Sequence, residues 1–300
     1  MITANKLLYY QDRFEDRCRP VTADVFLTDY CNSGCSYCRY KEQRSGAYIN
    51  AEDFQKYLER LLAIGVRGVI LTGGGEPTIN PDFDKICTIL DDNRVPYGVN
   101  TNGIVFKGSN ARFVKISIDE GDRETYKHCR GVDKLEDVLL NVEKYCKTQS
   151  RIGVQCVARN TEQIRQFYAT VKGLPVNYIQ YRPIELAHHL EHTDTAAMLD
   201  LLEKMKLIDQ RIYISYKFSH LDRPKSCPAH WAAICVKVNG DVPVCCQRSE
   251  EIIGNIMDGD IQKKYADYVV GSFQKCEHPC RLTGANMAIS RFDTSEISFI

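Results

Sequence analysis

The stretch VTADVFLTDYCNSGCSYC, residues 21–38, decides how this chain is built. Val21–Asp29 is rich in β-branched and aromatic residues and reads as a strand. It runs directly into Cys31, Cys35 and Cys38, a C-x3-C-x2-C cluster. Chemistry placed just after a strand is the habit of β/α folds, whose active sites lie at the C-terminal mouth of the sheet. Downstream, a helix is expected over Ala51–Ile64, with Phe54, Tyr57, Leu58, Leu61 and Leu62 on one face, Asn50 as cap and Gly65 as stop. Gly68–Leu71 is a short apolar strand that ends in Thr72-Gly-Gly-Gly-Glu-Pro77.

The alternation continues with a helix near Asp82–Leu90 and strands at Tyr97–Asn100 and Phe113–Asp119. Leu135, Val138, Leu139 and Val142 mark another helix, followed by a strand at Ile152–Ala158, a helix at Thr161–Lys172 and a strand at Tyr178–Arg182. Such alternation implies parallel β/α units. The expected fold is α/β: a partial (β/α)6 TIM-like barrel over residues 21–220, behind an extension of residues 1–20, with one more strand possible at Arg211–Phe218. Past Cys227 the character changes. Ile234–Asn239 and Val242–Cys246 flank Asn239-Gly240-Asp241, a hairpin signal. A helix is expected at Asp258–Val270, then Cys276-Glu-His-Pro-Cys280. Residues 221–300 read as a small cysteine-rich hairpin-and-helix domain that needs a metal to hold it together.

Composition narrows the function. The 39 basic and 39 acidic residues balance, so charge gives no reason to expect nucleic acid or an anionic membrane as partner. No signal-peptide core or membrane-length apolar run appears, and a cytoplasmic protein is expected. Against that background, 14 cysteines point to metal ligation or reactive thiols rather than disulfides.

Three clustered thiolates can converge on one inorganic centre. A four-iron cluster ordinarily takes four cysteines, so three leave one iron open to a ligand. A zinc site completed by a distant ligand is the alternative on spacing alone. Gly73, Gly74, Gly75 and Glu76 form either a ligand-contacting loop or an ordinary βα turn. No Gly-Lys-Ser/Thr follows, so the loop is not a phosphate P-loop.

The triad, with Tyr37 before its last cysteine and Gly-Gly-Gly-Glu-Pro after the second strand, resembles the signature of the radical S-adenosylmethionine (SAM) superfamily. The resemblance implies that Cys31, Cys35 and Cys38 ligate a 4Fe–4S cluster whose open iron binds SAM. Reductive cleavage of SAM then yields a 5′-deoxyadenosyl radical that abstracts a hydrogen atom from substrate. It implies Tyr37 beside the adenine and Glu76 on the SAM ammonium. Polar residues at the strand ends, Asn100, Ser117, Asp119 and Asn160, would contact the ribose and carboxylate, although Asn100 and Asn160 are equally placed to cap a turn or helix. Arg130 is either a carboxylate partner or a surface arginine. Arg182 and Glu185 after the sixth strand are candidate substrate residues or a structural ion pair. His188, His189 and His192 read as surface histidines.

Cys227, Cys245, Cys276 and Cys280 resemble the Twitch form of the SPASM extension, which implies one auxiliary 4Fe–4S cluster. Cys246 competes with Cys245 as ligand, and zinc with His278 is the alternative. The remaining cysteines, Cys18, Cys87, Cys129, Cys146, Cys156 and Cys235, read as buried structural thiols. The implied activity is oxidation or epimerisation of a small polar metabolite, with a reductant such as flavodoxin or ferredoxin. Peptide maturation, or a non-catalytic metal-stabilised binding or electron-carrying role, are the alternatives.

Overall fold

The computed structural model describes residues 20–184, 194–215, 218, 227, 233–246 and 248–268. Eight strands form one parallel sheet: β1 (Thr22–Phe26), β2 (Gly68–Thr72), β3 (Tyr97–Thr101), β4 (Phe113–Ser117), β5 (Arg151–Ala158), β6 (Tyr178–Pro183), β7 (Ile212–Ile214) and β8 (Ala233–Val236). Their order is β7-β6-β5-β4-β3-β2-β1-β8, so the first seven lie in sequence and β8 returns to the free edge of β1. The helices are α1 (Ala51–Ala63), α2 (Phe83–Asp92), α3 (Arg123–Arg130), α4 (Leu135–Tyr145), α5 (Thr161–Val171), α6 (Thr195–Ile208) and α7 (Ile261–Tyr268). The partial TIM-like barrel read from the sequence is therefore the architecture. Among the described residues no helix is long and apolar enough to cross a membrane.

The caps explain where the helices start. Asn50 Oδ1 accepts from the Asp53 amide at 2.8 Å and opens α1. Asp122 does the same for α3 and Asp194 for α6. α6 has weak apolar periodicity, and α3 is short, polar and closed by Gly131 at φ +69°. The core is continuous from Ala23, Val25 and Leu27 of the first strand region to Ile179 and Tyr181 of β6.

The second half corrects one expectation. The Asn239-Gly240-Asp241 turn forms, and the Lys237 amide donates to the Asp241 carbonyl at 2.8 Å. Its two arms, however, join different sheets. β8 pairs in parallel with β1, while β9 (Asp241–Cys245) pairs antiparallel with β10 (Arg248–Asn255). Ala233, Ile234, Cys235 and Val236 are all buried, so they complete the barrel wall instead of one face of a hairpin. The hairpin turns instead between Cys245 and its register partner Arg248, one turn later.

The lumen has a floor. Gly98 and Phe113 face each other across β3 and β4, and a Cβ on Gly98 would lie 2.1 Å from the Phe113 ring. Gly153 and Tyr178 repeat the arrangement across β5 and β6, at 2.0 Å. Each glycine makes room for the ring of the next strand. These four positions share the strand parity of Asn100, Lys115, Gln155 and Gln180, which line the cavity above.

Candidate active site

The barrel mouth opens into a cavity of about 490 Å³. Cys31, Cys35 and Cys38 line it together, as do Tyr37, Gly73, Gly74, Gly75, Glu76, Asn100, Ser117, Arg130 and Arg182. The cysteine loop is docked on the C-terminal end of α3. The Gly34 amide donates to the Arg130 carbonyl at 2.8 Å, the Ser36 amide to the Cys129 carbonyl at 2.9 Å, and the Ser33 hydroxyl to the Arg130 carbonyl at 2.9 Å. Gly131 allows this approach, since a Cβ there would lie 2.8 Å from the Gly34 carbonyl oxygen. Helix α3 thus uses its unsatisfied terminal carbonyls to hold the loop.

Each triad sulfur has a polar neighbour. Asn102 Nδ2 lies 3.9 Å from Cys31 Sγ, Ser33 Oγ lies 3.4 Å from Cys35 Sγ, and Arg44 Nη2 lies 3.8 Å from Cys38 Sγ. Burial, reinforced by Glu76, raises the Cys31 pKa. Among the described residues no three His, Cys, Asp or Glu side chains close on the position of a single metal ion. Three soft thiol donors sharing one cavity, each with a hydrogen-bonding neighbour, fit a centre of several iron atoms with a different iron on each sulfur.

Several predicted contacts with SAM are occupied by the protein itself. Glu76 is buried, and its Oε1 accepts from the Thr78 amide (3.1 Å), Thr78 Oγ1 (2.7 Å) and Thr101 Oγ1 (2.7 Å). Its Oε2 accepts from the Asn102 amide at 2.6 Å. Burial raises the Glu76 pKa against these four bonds. The carboxylate therefore ties the end of β2 to the end of β3, with capacity left only on Oε2. Gly75 has a packing reason: a Cβ would lie 1.9 Å from the Tyr30 carbonyl oxygen, and the Gly75 amide bonds the Thr28 carbonyl at 2.9 Å.

Asp119 does not line the cavity. It is fully buried at φ +72°, and its carboxylate accepts from the Tyr37 hydroxyl, from Arg130 Nη1 at 2.8 Å and from the Val157 amide at 2.8 Å. Arg130 also donates to the Ser117 carbonyl at 2.8 Å and to the Tyr37 oxygen at 3.1 Å. Arg130 is thus not a surface residue; it pins Tyr37 and the cysteine loop to the ends of β4 and β5, and its Nε keeps no hydrogen-bond partner. Asn160 lies off the cavity and caps α5, accepting from the Gln163 amide at 2.8 Å. Asn100 faces the cavity, and its buried Oδ1 has no hydrogen-bond partner.

The sequence reading missed Asp24, Lys115, Gln155, Gln180 and Tyr213, all of which line the lumen. Strand parity carried the signal: Lys115 stands two before Ser117, and Gln180 two before Arg182. At the C-terminal side, Cys246 lines the cavity and its carbonyl accepts from the Tyr40 hydroxyl at 2.6 Å; Cys245 is not among the lining residues. Cys227 is buried. Glu185, the three histidines, Cys18, Cys276, His278 and Cys280 lie outside the described residues. Cys87, Cys129, Cys156 and Cys235 are buried and Cys146 is half-buried, with burial pushing the Cys87 and Cys129 thiols up to about 12.

Residues 25–172 match the family model of the radical SAM superfamily. A probable GTP 3′,8-cyclase of Pyrococcus abyssi is 34% identical over 145 residues, which cover 45% of this chain and 46% of that protein. The GTP 3′,8-cyclase of Pasteurella multocida is 28% identical over 177 residues, 53% of this chain and 51% of that one. The matched region thus spans about half the length of these curated relatives. In overall fold the chain is similar to Streptococcus suis SuiB bound to its precursor peptide SuiA, with a TM-score of 0.70, 15% identity, and coverage of 90% of this chain and 70% of that one. It is also similar to anSMEcpe with bound AdoMet and a Kp18Cys peptide, with a TM-score of 0.67, 19% identity and 86% coverage of each chain. Through this barrel the chain belongs to the radical SAM superfamily, whose members bind a 4Fe–4S cluster and SAM.

Proposed function

We propose that this chain reductively cleaves SAM and uses the resulting radical to take a hydrogen atom from a small polar molecule held in the barrel lumen. When bound, the cluster and SAM supply an electron and a 5′-deoxyadenosyl radical. The observation that carries the reading is that the cysteine triad and a polar lumen wall share one cavity. In this reading Cys31, Cys35 and Cys38 hold the cluster, and Asn102, Ser33 and Arg44 support their sulfurs. Asn100, Ser117 and the glycine-rich loop face SAM, and Asn100 Oδ1 is free to accept from it. Asp119 braces the loop from outside the cavity, while Arg130 and Tyr37 both brace it and line the cavity, with Tyr37 beside the adenine. A site inside the barrel would limit water and competing hydrogen donors, which a carbon radical requires. The curated relatives are named for a reaction of a nucleotide, which supports a small molecule over a peptide.

The auxiliary cluster on Cys227, Cys245, Cys276 and Cys280 belongs to the same proposal, with residues 21–220 as barrel and 221–300 as cluster domain. Such a cluster would take an electron from a substrate radical and favour net oxidation over epimerisation. A flavodoxin or ferredoxin would supply the reducing electron to the triad cluster. Anaerobic reconstitution with iron and sulfide tests the set. The intact chain is expected to bind about eight irons, and the Cys31, Cys35 and Cys38 to Ala triple variant about four. Dithionite and SAM are expected to yield 5′-deoxyadenosine from the intact chain alone. A reconstituted protein that binds SAM yet releases none would overturn the proposal.

A further inference from the structure

Gln155, Gln180 and Tyr213 stand side by side on β5, β6 and β7. Gln155 is the register partner of Gln180, and Gln180 of Tyr213. All three line the cavity. Gln155 is only 4% exposed, and its side chain opens onto the cavity rather than onto the outer surface. The side chains of these three residues form no hydrogen bond with another described residue. Amides and a phenol confined to a cavity with no protein partner keep their donors and acceptors for a bound ligand. The site is built rather than incidental, because it lies on three adjacent strands and not on a loop.

We infer that this row is the substrate-recognition wall and that it reads a polar ring, a sugar, cyclitol or nucleobase, by its neutral donors and acceptors. The inference rests on the radical SAM reading above and gives it a substrate class. Two amides and a phenol offer donors and acceptors without charge, so they match an edge that carries both. Neighbouring strands lie ~4.8 Å apart, which sets the three groups at the spacing of substituents around one ring. The Tyr178 ring fills the space over Gly153, two residues before Gln155 on the same strand face. That packing leaves no room for a chain to continue between β5 and β6 past Gly153, which suits a compact ring. Arg182, two residues after Gln180 on the same face, lines the cavity nearer the mouth, where an acidic substituent of the ring would sit.

Calorimetric titration of the anaerobically reconstituted, SAM-loaded protein tests this without turnover. The probes are guanosine, scyllo-inositol and N-acetylglutamine amide, the last as a peptide mimic. At least one ring compound is expected to bind, and Gln155→Leu and Gln180→Leu are each expected to weaken it about tenfold or more. SAM affinity should change less than about twofold in both, which shows that the variants fold. Failure of both ring compounds to bind at millimolar concentration overturns the inference. So does binding that ignores both substitutions, or a response confined to the peptide mimic. Release of 5′-deoxyadenosine from the same samples reports separately on the radical SAM reading, so the two failures are distinguishable.

Discussion

Three side chains show how local chemistry divides the work. Arg130 is 96% buried; it neutralises Asp119 and fixes Tyr37. Arg130→Ala would leave the Asp119 carboxylate buried without its cation, at a cost of about 3–5 kcal/mol. Denaturant unfolding should show that loss together with reduced iron uptake. Arg44 acts on the cluster instead. Its cation lies beside Cys38 Sγ and favours the more negative, reduced cluster. Arg44→Met should move the midpoint potential to a more negative value in an EPR-monitored titration, with iron content unchanged. Glu76 titrates against the usual direction for a hydrogen-bonded carboxylate, because burial raises its pKa from 4.5. As pH rises above 4.5, the unfolded chain releases this proton before the folded one does, so the residue's contribution to stability falls until the folded pKa is passed. Glu76→Gln should remove that part of the pH slope in urea unfolding above pH 4.5. It should also cost stability at all pH values, since an amide cannot accept from all four donors on Glu76.

Among elements, the strands separate two tasks. The ends of β1 to β4 carry the cysteine loop, the glycine-rich loop, Asn100 and Ser117; the inner faces of β5 to β7 carry Gln155, Gln180 and Tyr213. Helix α3 serves neither core nor ligand alone, for its last carbonyls hold the cysteine loop. Its sequence, Arg-Glu-Thr-Tyr-Lys-His-Cys-Arg, hides that role because the bonds come from backbone atoms. The floor makes a sharper test. Gly98→Ala should cost about 1–3 kcal/mol through collision with Phe113, and Phe113→Leu should restore part of it in the double variant. Thermal unfolding of the four-member cycle measures this coupling. If the two changes simply add, the ring does not rest on the glycine.

Across the whole molecule, the chain closes on itself through β8 and the β9–β10 hairpin. Tyr40 in the cysteine-loop segment donates to the Cys246 carbonyl, and the Tyr265 hydroxyl of α7 donates to the Ala233 carbonyl of β8 at 2.9 Å. Tyr40→Phe should cost about 0.5–1.5 kcal/mol and raise hydrogen exchange at Cys245–Arg248 with little change deep in the barrel, as read by mass spectrometry. The order of β1 to β6 and of α1, α2, α4, α5 and α7 was legible in the amino acids, because apolar period, caps and turn glycines are local. So was the cysteine triad, whose spacing is covalent. Tertiary structure alone decided that Glu76 and Asp119 face protein donors, that Ala233–Val236 completes the sheet, and that Gln155 lies beside Gln180. Those outcomes depend on which strands become neighbours and in what register. Register is settled by summed packing over residues far apart in the chain, which no single segment encodes.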